Sequence, residues 1–313
     1  MKMLFLLTSL ISLLLVTACN QMNAEAVVEP TKKSIVEHIE QTKPKKDLPD
    51  GFKDYWYEGK AEISSYYLEQ ARYGEIRKGT AVLIYVTEDF LPKKQVKADN
   101  QNTRNIPVLK LNATKNFNTG IYPYAIMQST FYPVADNQHA LKVSSSMQEW
   151  CGHVYSQLNN REHFEIVSHS YFENEADTKF TLDKAFLENE IWTKIRISPE
   201  ELPLGTIEII PSFEFCRLKH KEIKAYKAKA SLQKNDSTTT YILEYPELKR
   251  SISITFTTSF PYEIEEWSET FTSGFGNSAK EMTTTATKTK QIKSPYWRKN
   301  SNQDEVLRKE LGL

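Results

Sequence analysis

Ser251-Ile252-Ser253-Ile254-Thr255-Phe256-Thr257-Thr258 alternates apolar and polar side chains without a break. A period of two places Ile252, Ile254 and Phe256 on one face, as in a half-buried strand. The same reading extends outward in both directions. Upstream, Thr239 to Tyr245 pairs back, after a turn at Lys234-Asn235-Asp236-Ser237. Before that, Glu222 to Gln233 and Thr206 to Phe215 read as strands. Downstream, Pro261 to Phe271 carries Trp267, and Ser273 to Ser278 is a loop. Thr283 to Ile292, rich in Thr and Lys, reads as a polar edge strand whose lysines discourage stacking with other chains.

The amino-terminal half continues the pattern. Ala61 to Tyr73 alternates, and Thr80 to Thr87 is apolar enough for a central strand. Pro107 to Thr114 and Tyr124 to Tyr132 flank a turn signal at Asn116 to Gly120. Leu141 to Met147, Glu149 to Leu158 and His163 to Phe172 follow, with Asn159-Asn160 as a hairpin tip. One stretch changes period. Leu182, Phe186, Leu187, Ile191 and Ile195 lie on one helical face, with Thr181 as cap, so Thr181 to Ile195 reads as a helix. Ser198-Pro199-Glu200-Glu201 starts a second, short one. Many short strands and one or two short helices define a mainly β chain. The expected architecture is an antiparallel β sandwich or a curled, barrel-like sheet.

The first residues carry an address. Lys2 precedes the apolar run Leu4 to Val16, and Leu15-Val16-Thr17-Ala18-Cys19 looks like a bacterial lipobox, in which Cys19 receives the lipid. The run is too short to span a bilayer comfortably. Residues 1–18 therefore read as a lipoprotein signal peptide and 19–50 as a lipidated tether, polar and rich in Lys and Glu. The β-rich domain is expected over 51–295, where a break near 197–205 would make two packed sub-sheets. Residues 296–313 form a charged tail. Neither an acidic export tag nor an Asp follows Cys19, which points to the periplasmic face of the outer membrane.

The 313 residues contain 40 Lys+Arg and 40 Asp+Glu, so bulk charge gives no sign of a nucleic-acid binder. Aromatics reach 12%, which favours strands and suits protein or carbohydrate contacts. Once Cys19 is lipidated, Cys151 and Cys216 remain. Export makes a Cys151–Cys216 disulfide one expectation, worth about 4 kcal/mol in the chain-entropy model. Two free thiols are the other.

Candidate chemistry centres on Glu149-Trp150-Cys151-Gly152-His153. Cys151 and His153, two apart on a strand, would share a face as nucleophile and base only if the strand bends. His163 and His169 are too far apart along a strand for one metal, and an even hairpin loop would put His153 and His169 on opposite faces. No metal or other cofactor is implied. Asp236-Ser237-Thr238 matches the short O-glycosylation pattern of Bacteroidetes secreted proteins, with Ser237 as acceptor.

Tyr55-Trp56-Tyr57-Glu58-Gly59-Lys60-Ala61-Glu62, Leu109 to Tyr124 (containing Asn116-Phe117-Asn118-Thr119-Gly120) and Gln148-Glu149-Trp150-Cys151-Gly152-His153-Val154-Tyr155 together resemble an uncharacterised family of flavobacterial and other Bacteroidetes lipoproteins. The resemblance runs from about Asp54 to the carboxyl end. Members are often labelled septum formation inhibitor Maf. Maf proteins are α/β nucleotide pyrophosphatases with a Ser-x-Ser-Pro-Arg-Arg motif, which this chain lacks. The expected function is a membrane-anchored, non-enzymatic binding or assembly module of the cell envelope, with a protein or glycan partner. The alternative is an enzyme, either a Cys/His hydrolase or the Maf-like pyrophosphatase that the label implies. A shuttle for an apolar ligand would require a closed barrel with an apolar interior.

Overall fold

The computed structural model describes residues 47–135 and 138–313. The expectations for the signal peptide, for lipidated Cys19 and for most of the tether lie outside the described residues.

The stretch 251–258 forms β14 (Arg250–Thr257), whose burial alternates strictly. Ile252, Ile254 and Phe256 face the core, opposite Leu243, Tyr241 and Thr239 on β13 (Thr238–Tyr245). Burying each such side chain contributes about 1.5–3 kcal/mol. Around this pair the chain forms one large sheet. Its first half is β1 (Ala61–Arg72), β2 (Glu75–Leu91), the short β3 (Val96–Lys97), β4 (Ile106–Thr119), β5 (Tyr122–Pro133), β6 (Lys142–Glu149), β7 (Gly152–Asn160), β8 (Phe164–Ser170) and β9 (Thr178–Leu182). Its second half is β10 (Phe186–Leu187), β11 (Gly205–Ile210), β12 (Tyr226–Lys234), β13, β14, β15 (Ile264–Ser273) and β16 (Lys280–Ser294). Pairing follows chain order, with β16 joined to β1 in the middle and β9 and β10 at the two edges. Every pairing is antiparallel except β10 with β11. The sheet is mixed, mostly antiparallel and not closed by strand pairing.

Helix α2 (Glu188–Ile197) shows how far the sheet curls. Tyr85 of β2 donates to the Trp192 carbonyl, and Thr130 of β5 to that of Asn189. Arg196 pairs with Glu62 of β1, and Glu188 with Arg250 of β14. Trp192 meets Trp267 of β15 edge-on at 5.2 Å. Strands from β14 through β5 thus surround one helix, so the sheet is wound around it. Its Glu188, Glu190, Lys194 and Arg196 are all buried. The helix begins seven residues later than its periodicity predicts. Thr178 to Leu182 pair with β8, so Thr181 and Leu182 belong to a strand whose inward residues mimic a helical stripe. The Glu190 carboxylate, not Thr181, accepts the amide of Leu187 at the helix start.

Three further expectations are corrected. The Lys-rich stretch is the central strand β16, not an edge. Lys288 reaches Glu263 and Glu265, and Lys293 pairs with Glu58, so opposite charge rather than an open edge accounts for these lysines. Residues 211–215 leave the sheet: Pro211 ends β11, and Ser212 caps α3 (Phe213–Leu218) by accepting the Phe215 amide at 3.2 Å. The β7–β8 turn lies at 161–163, not at Asn159-Asn160, which still pair with β8. A shorter helix, α1 (Phe52–Trp56), buries Trp56 against Tyr85, and α4 (Val306–Glu310) closes the chain. Leu311 and Leu313 pack on Ala61, Ile63, Val82 and Val86, so the outer face of β1 is covered and its predicted alternation is lost.

Candidate functional site

The interior beside α2 is filled by charge pairs. Arg250 grips Glu188 through two nitrogens, at 2.5 and 2.7 Å, and donates from Nε to Glu269 at 2.6 Å. Lys115 donates to Glu214 at 2.7 Å, whose other oxygen accepts from Gln128. Asn189 donates to the Gln128 carbonyl oxygen. Burial pushes the Glu214 carboxyl up, against the pull of Lys115. For Glu188 burial pushes the same way, but the charge and hydrogen bonds of Arg250 outweigh it and hold the carboxyl below its ordinary range. The remaining cavity is about 50 Å³, room for a few water molecules. Side chains, charged and apolar together, fill most of this part of the interior.

The open seam is different. Where the sheet ends at β9, its inner face meets α3 and residues 220–223 across a groove of about 520 Å³. Alternation places Val154 of β7 and Phe180 and Leu182 of β9 on that inner face, and α3 supplies Phe213 opposite them. Ile223 completes an apolar floor. Arg217, His220 and Lys221 bring positive or protonatable groups to the rim, facing Glu175 and Glu222. Glu175 accepts from Arg217 Nη1 at 3.2 Å and contacts His220 Nδ1 at 2.9 Å. The Arg217 guanidinium stacks over Phe172 at 4.0 Å, which orients its fork. Its buried Nε has no hydrogen-bond partner among the described residues. A buried donor left unpaired costs about 1–3 kcal/mol. The groove thus offers an apolar floor with Arg217, His220 and Lys221 on its lining.

The sequence-based candidates do not assemble. Cys151 lies in the β6–β7 turn, exposed, not on a strand beside His153. Glu149 accepts the Cys151 amide at 2.7 Å, and its carboxylate raises the Cys151 thiol above its usual value. A neighbouring anion disfavours the thiolate, the opposite of what a nucleophile needs. Cys216 is buried in α3, and burial pushes its thiol up to about 12. Both thiols are free, so the Cys151–Cys216 bridge is absent from this structure. His153 and His169 share the exposed outer face, because the turn between β7 and β8 has an odd length. Among the described residues no cluster of His, Cys, Asp and Glu is placed to hold a metal ion. Ser237 is exposed in the β12–β13 turn.

Sequence reasoning missed Arg217, Phe180 and the groove itself. The one available signal was Ser212-Phe213-Glu214, a cap followed by an acidic first turn. Phe180 could not be placed without knowing where the sheet ends.

No protein-family model matches the chain, and no curated protein matches it. Among solved structures, the crystal structure of a beta-barrel-like protein of a domain of unknown function, DUF1849, from Brucella abortus is similar in outline. It shares 8% identity, with a TM-score of 0.41, and the alignment covers 74% of this chain and 96% of that one. No helix among the described residues is long and apolar enough to cross a membrane.

Proposed function

We propose that this chain is a lipid-anchored binding module of the bacterial cell envelope, facing the periplasm, that holds a small amphiphile in the seam groove and does not turn over a substrate. One observation carries the binding reading: an open groove of about 520 Å³ with an apolar floor and the cationic Arg217 and Lys221 on its lining. An apolar body would lie over Phe180, Leu182 and Ile223, and an acidic or carbonyl head would accept from Arg217. The anchoring half rests on the Leu15 to Cys19 sequence.

The probe 1-anilinonaphthalene-8-sulfonate has this chemistry and reports binding by fluorescence. Saturable binding to the full chain is expected. Arg217→Gln removes a charge-assisted hydrogen bond worth about 1.5–3 kcal/mol, so affinity falls roughly ten- to hundredfold. Phe180→Asp abolishes binding. Failure to saturate, or equal affinity for wild type and Arg217→Gln, overturns the reading.

A further inference from the structure

A second surface lies at one end of the sheet. In an antiparallel meander every second turn returns to the same end. The turns β15–β16, β1–β2, β4–β5, β6–β7 and β8–β9 therefore share one end, opposite the start of β1, which pairs with the end of β16. Four of these five turns carry a large, mostly exposed apolar or aromatic residue, and the β1–β2 turn carries the partly buried Tyr73. Phe275, Ile121, Trp150 and Tyr171 are 65%, 83%, 69% and 79% exposed. Exposed single hydrophobics are ordinary, but four on the tips of one rim are not.

Two of them also touch through intermediates. Phe275 packs on Tyr73 at 6.0 Å, and the Tyr73 hydroxyl meets that of Tyr124 at 2.9 Å. Tyr124 contacts Tyr122 at 5.9 Å, and Tyr122 contacts Trp150 at 6.5 Å. Tyr171 lies against Gly152, where a Cβ would come within 2.8 Å of its ring. The result is a set of exposed apolar tips along one rim, with Phe275 and Trp150 joined through Tyr73, the buried Tyr124 and Tyr122.

We propose that this rim docks on the surface of a lipid bilayer, inserting Ile121, Trp150, Tyr171 and Phe275 into the headgroup and acyl boundary. The chemistry favours lipid over sugar. Trp and Tyr suit the interface, whereas an almost fully exposed Ile121 stacks on no pyranose. Reach permits it. Residues 20–46 extend to at most ~90 Å, more than the ~40 Å rise of β1, so an anchor at Cys19 lets the far end meet the bilayer. The proposal rests on that anchored reading but not on the groove's ligand.

The test uses the mature chain from residue 20 onward, so that neither the apolar leader nor an acyl group supplies the binding. Vesicles of phosphatidylethanolamine and phosphatidylglycerol are doped with brominated phosphatidylcholine. Co-sedimentation and quenching of Trp150 emission are expected. Trp150→Phe should remove most of the quench, and Trp297→Phe should not. Ile121→Ser with Phe275→Ser should weaken partitioning roughly tenfold or more. Being exposed, these side chains can change without loss of the folded circular dichroism spectrum. No sedimentation and no quench, or binding to peptidoglycan fragments in place of vesicles, overturns the proposal. Mass spectrometry of the amino-terminal peptide from cells, which should show diacylated Cys19, tests the anchor separately.

Discussion

Replacing Arg250 by Leu gives a perturbation whose size and pH dependence both follow from the structure. The guanidinium makes three short hydrogen bonds to Glu188 and Glu269 and stacks on Phe215 at 4.1 Å. Side-chain exposure is 1% for Arg250 and 1% for Glu188. Leucine leaves Glu188, the first residue of α2, buried without a counter-ion. Breaking such a pair from one side costs about 3–5 kcal/mol. At about 2–4 °C per kcal/mol for a domain of this size, Tm falls by roughly 6–20 °C. The pH dependence is more diagnostic. In the wild type Arg250 holds Glu188 below its ordinary value. Its ionisation therefore contributes stability above the unfolded-state value, and that contribution is lost as pH falls through the lowered one. In Arg250→Leu burial, the largest influence, is opposed only by the hydrogen bonds from Tyr245 and Ser212, and the Glu188 value rises. Its contribution is then present at low pH and lost as pH rises. The destabilisation should be largest near about pH 7.5 and shrink towards about pH 4.5. Urea unfolding across that range measures it, and Glu188→Gln in the Arg250→Leu background should recover part of the loss. A difference under about 1 kcal/mol, or one flat with pH, would refute the assignment of Arg250 as the interior counter-ion.

Two other outcomes follow from local geometry. Iodoacetamide at neutral pH should alkylate exposed Cys151 and spare Cys216 until the chain unfolds, and Glu149→Gln should speed the Cys151 reaction by lowering its thiol towards the usual value; equal rates for the two thiols would contradict the placement. Gly79 faces β4 so closely that a Cβ would sit 2.2 Å from the Asn116 carbonyl oxygen. Gly79→Ala should therefore cost about 1–3 kcal/mol or more in chemical denaturation, and a neutral result would contradict the β2–β4 register there.

Local periodicity made much of the sheet legible. Ile252, Ile254 and Phe256 alternate because one face of β14 is core, and that is visible in eight residues. Global neighbours decided what was misread. The stretch from Leu182 to Ile195 shows a helical stripe because inward strand residues run into a real helix. Only pairing with β8 separates the two. The lysines of β16 look like an edge because their partners, Glu58, Glu263 and Glu265, come from other segments. The Cys151–His153 pairing assumed a strand where the chain turns. The groove was invisible for a deeper reason. Its walls, β9 and α3, are brought together only by the curl of the whole sheet around α2, and no local pattern encodes where a sheet stops closing.

The central claim is that the seam groove is a binding site, and the most direct measurement is of what the protein already carries. The mature chain from residue 20 onward, exported behind a leader that is cleaved without lipidation and purified without detergent, is extracted and analysed by mass spectrometry beside Phe180→Asp and Arg217→Gln. The account predicts about one amphiphile per chain with an acidic or carbonyl head, absent from Phe180→Asp and depleted in Arg217→Gln. Equal recovery from all three chains, or an empty wild-type groove that also fails to bind the anilinonaphthalene sulfonate probe, would contradict it.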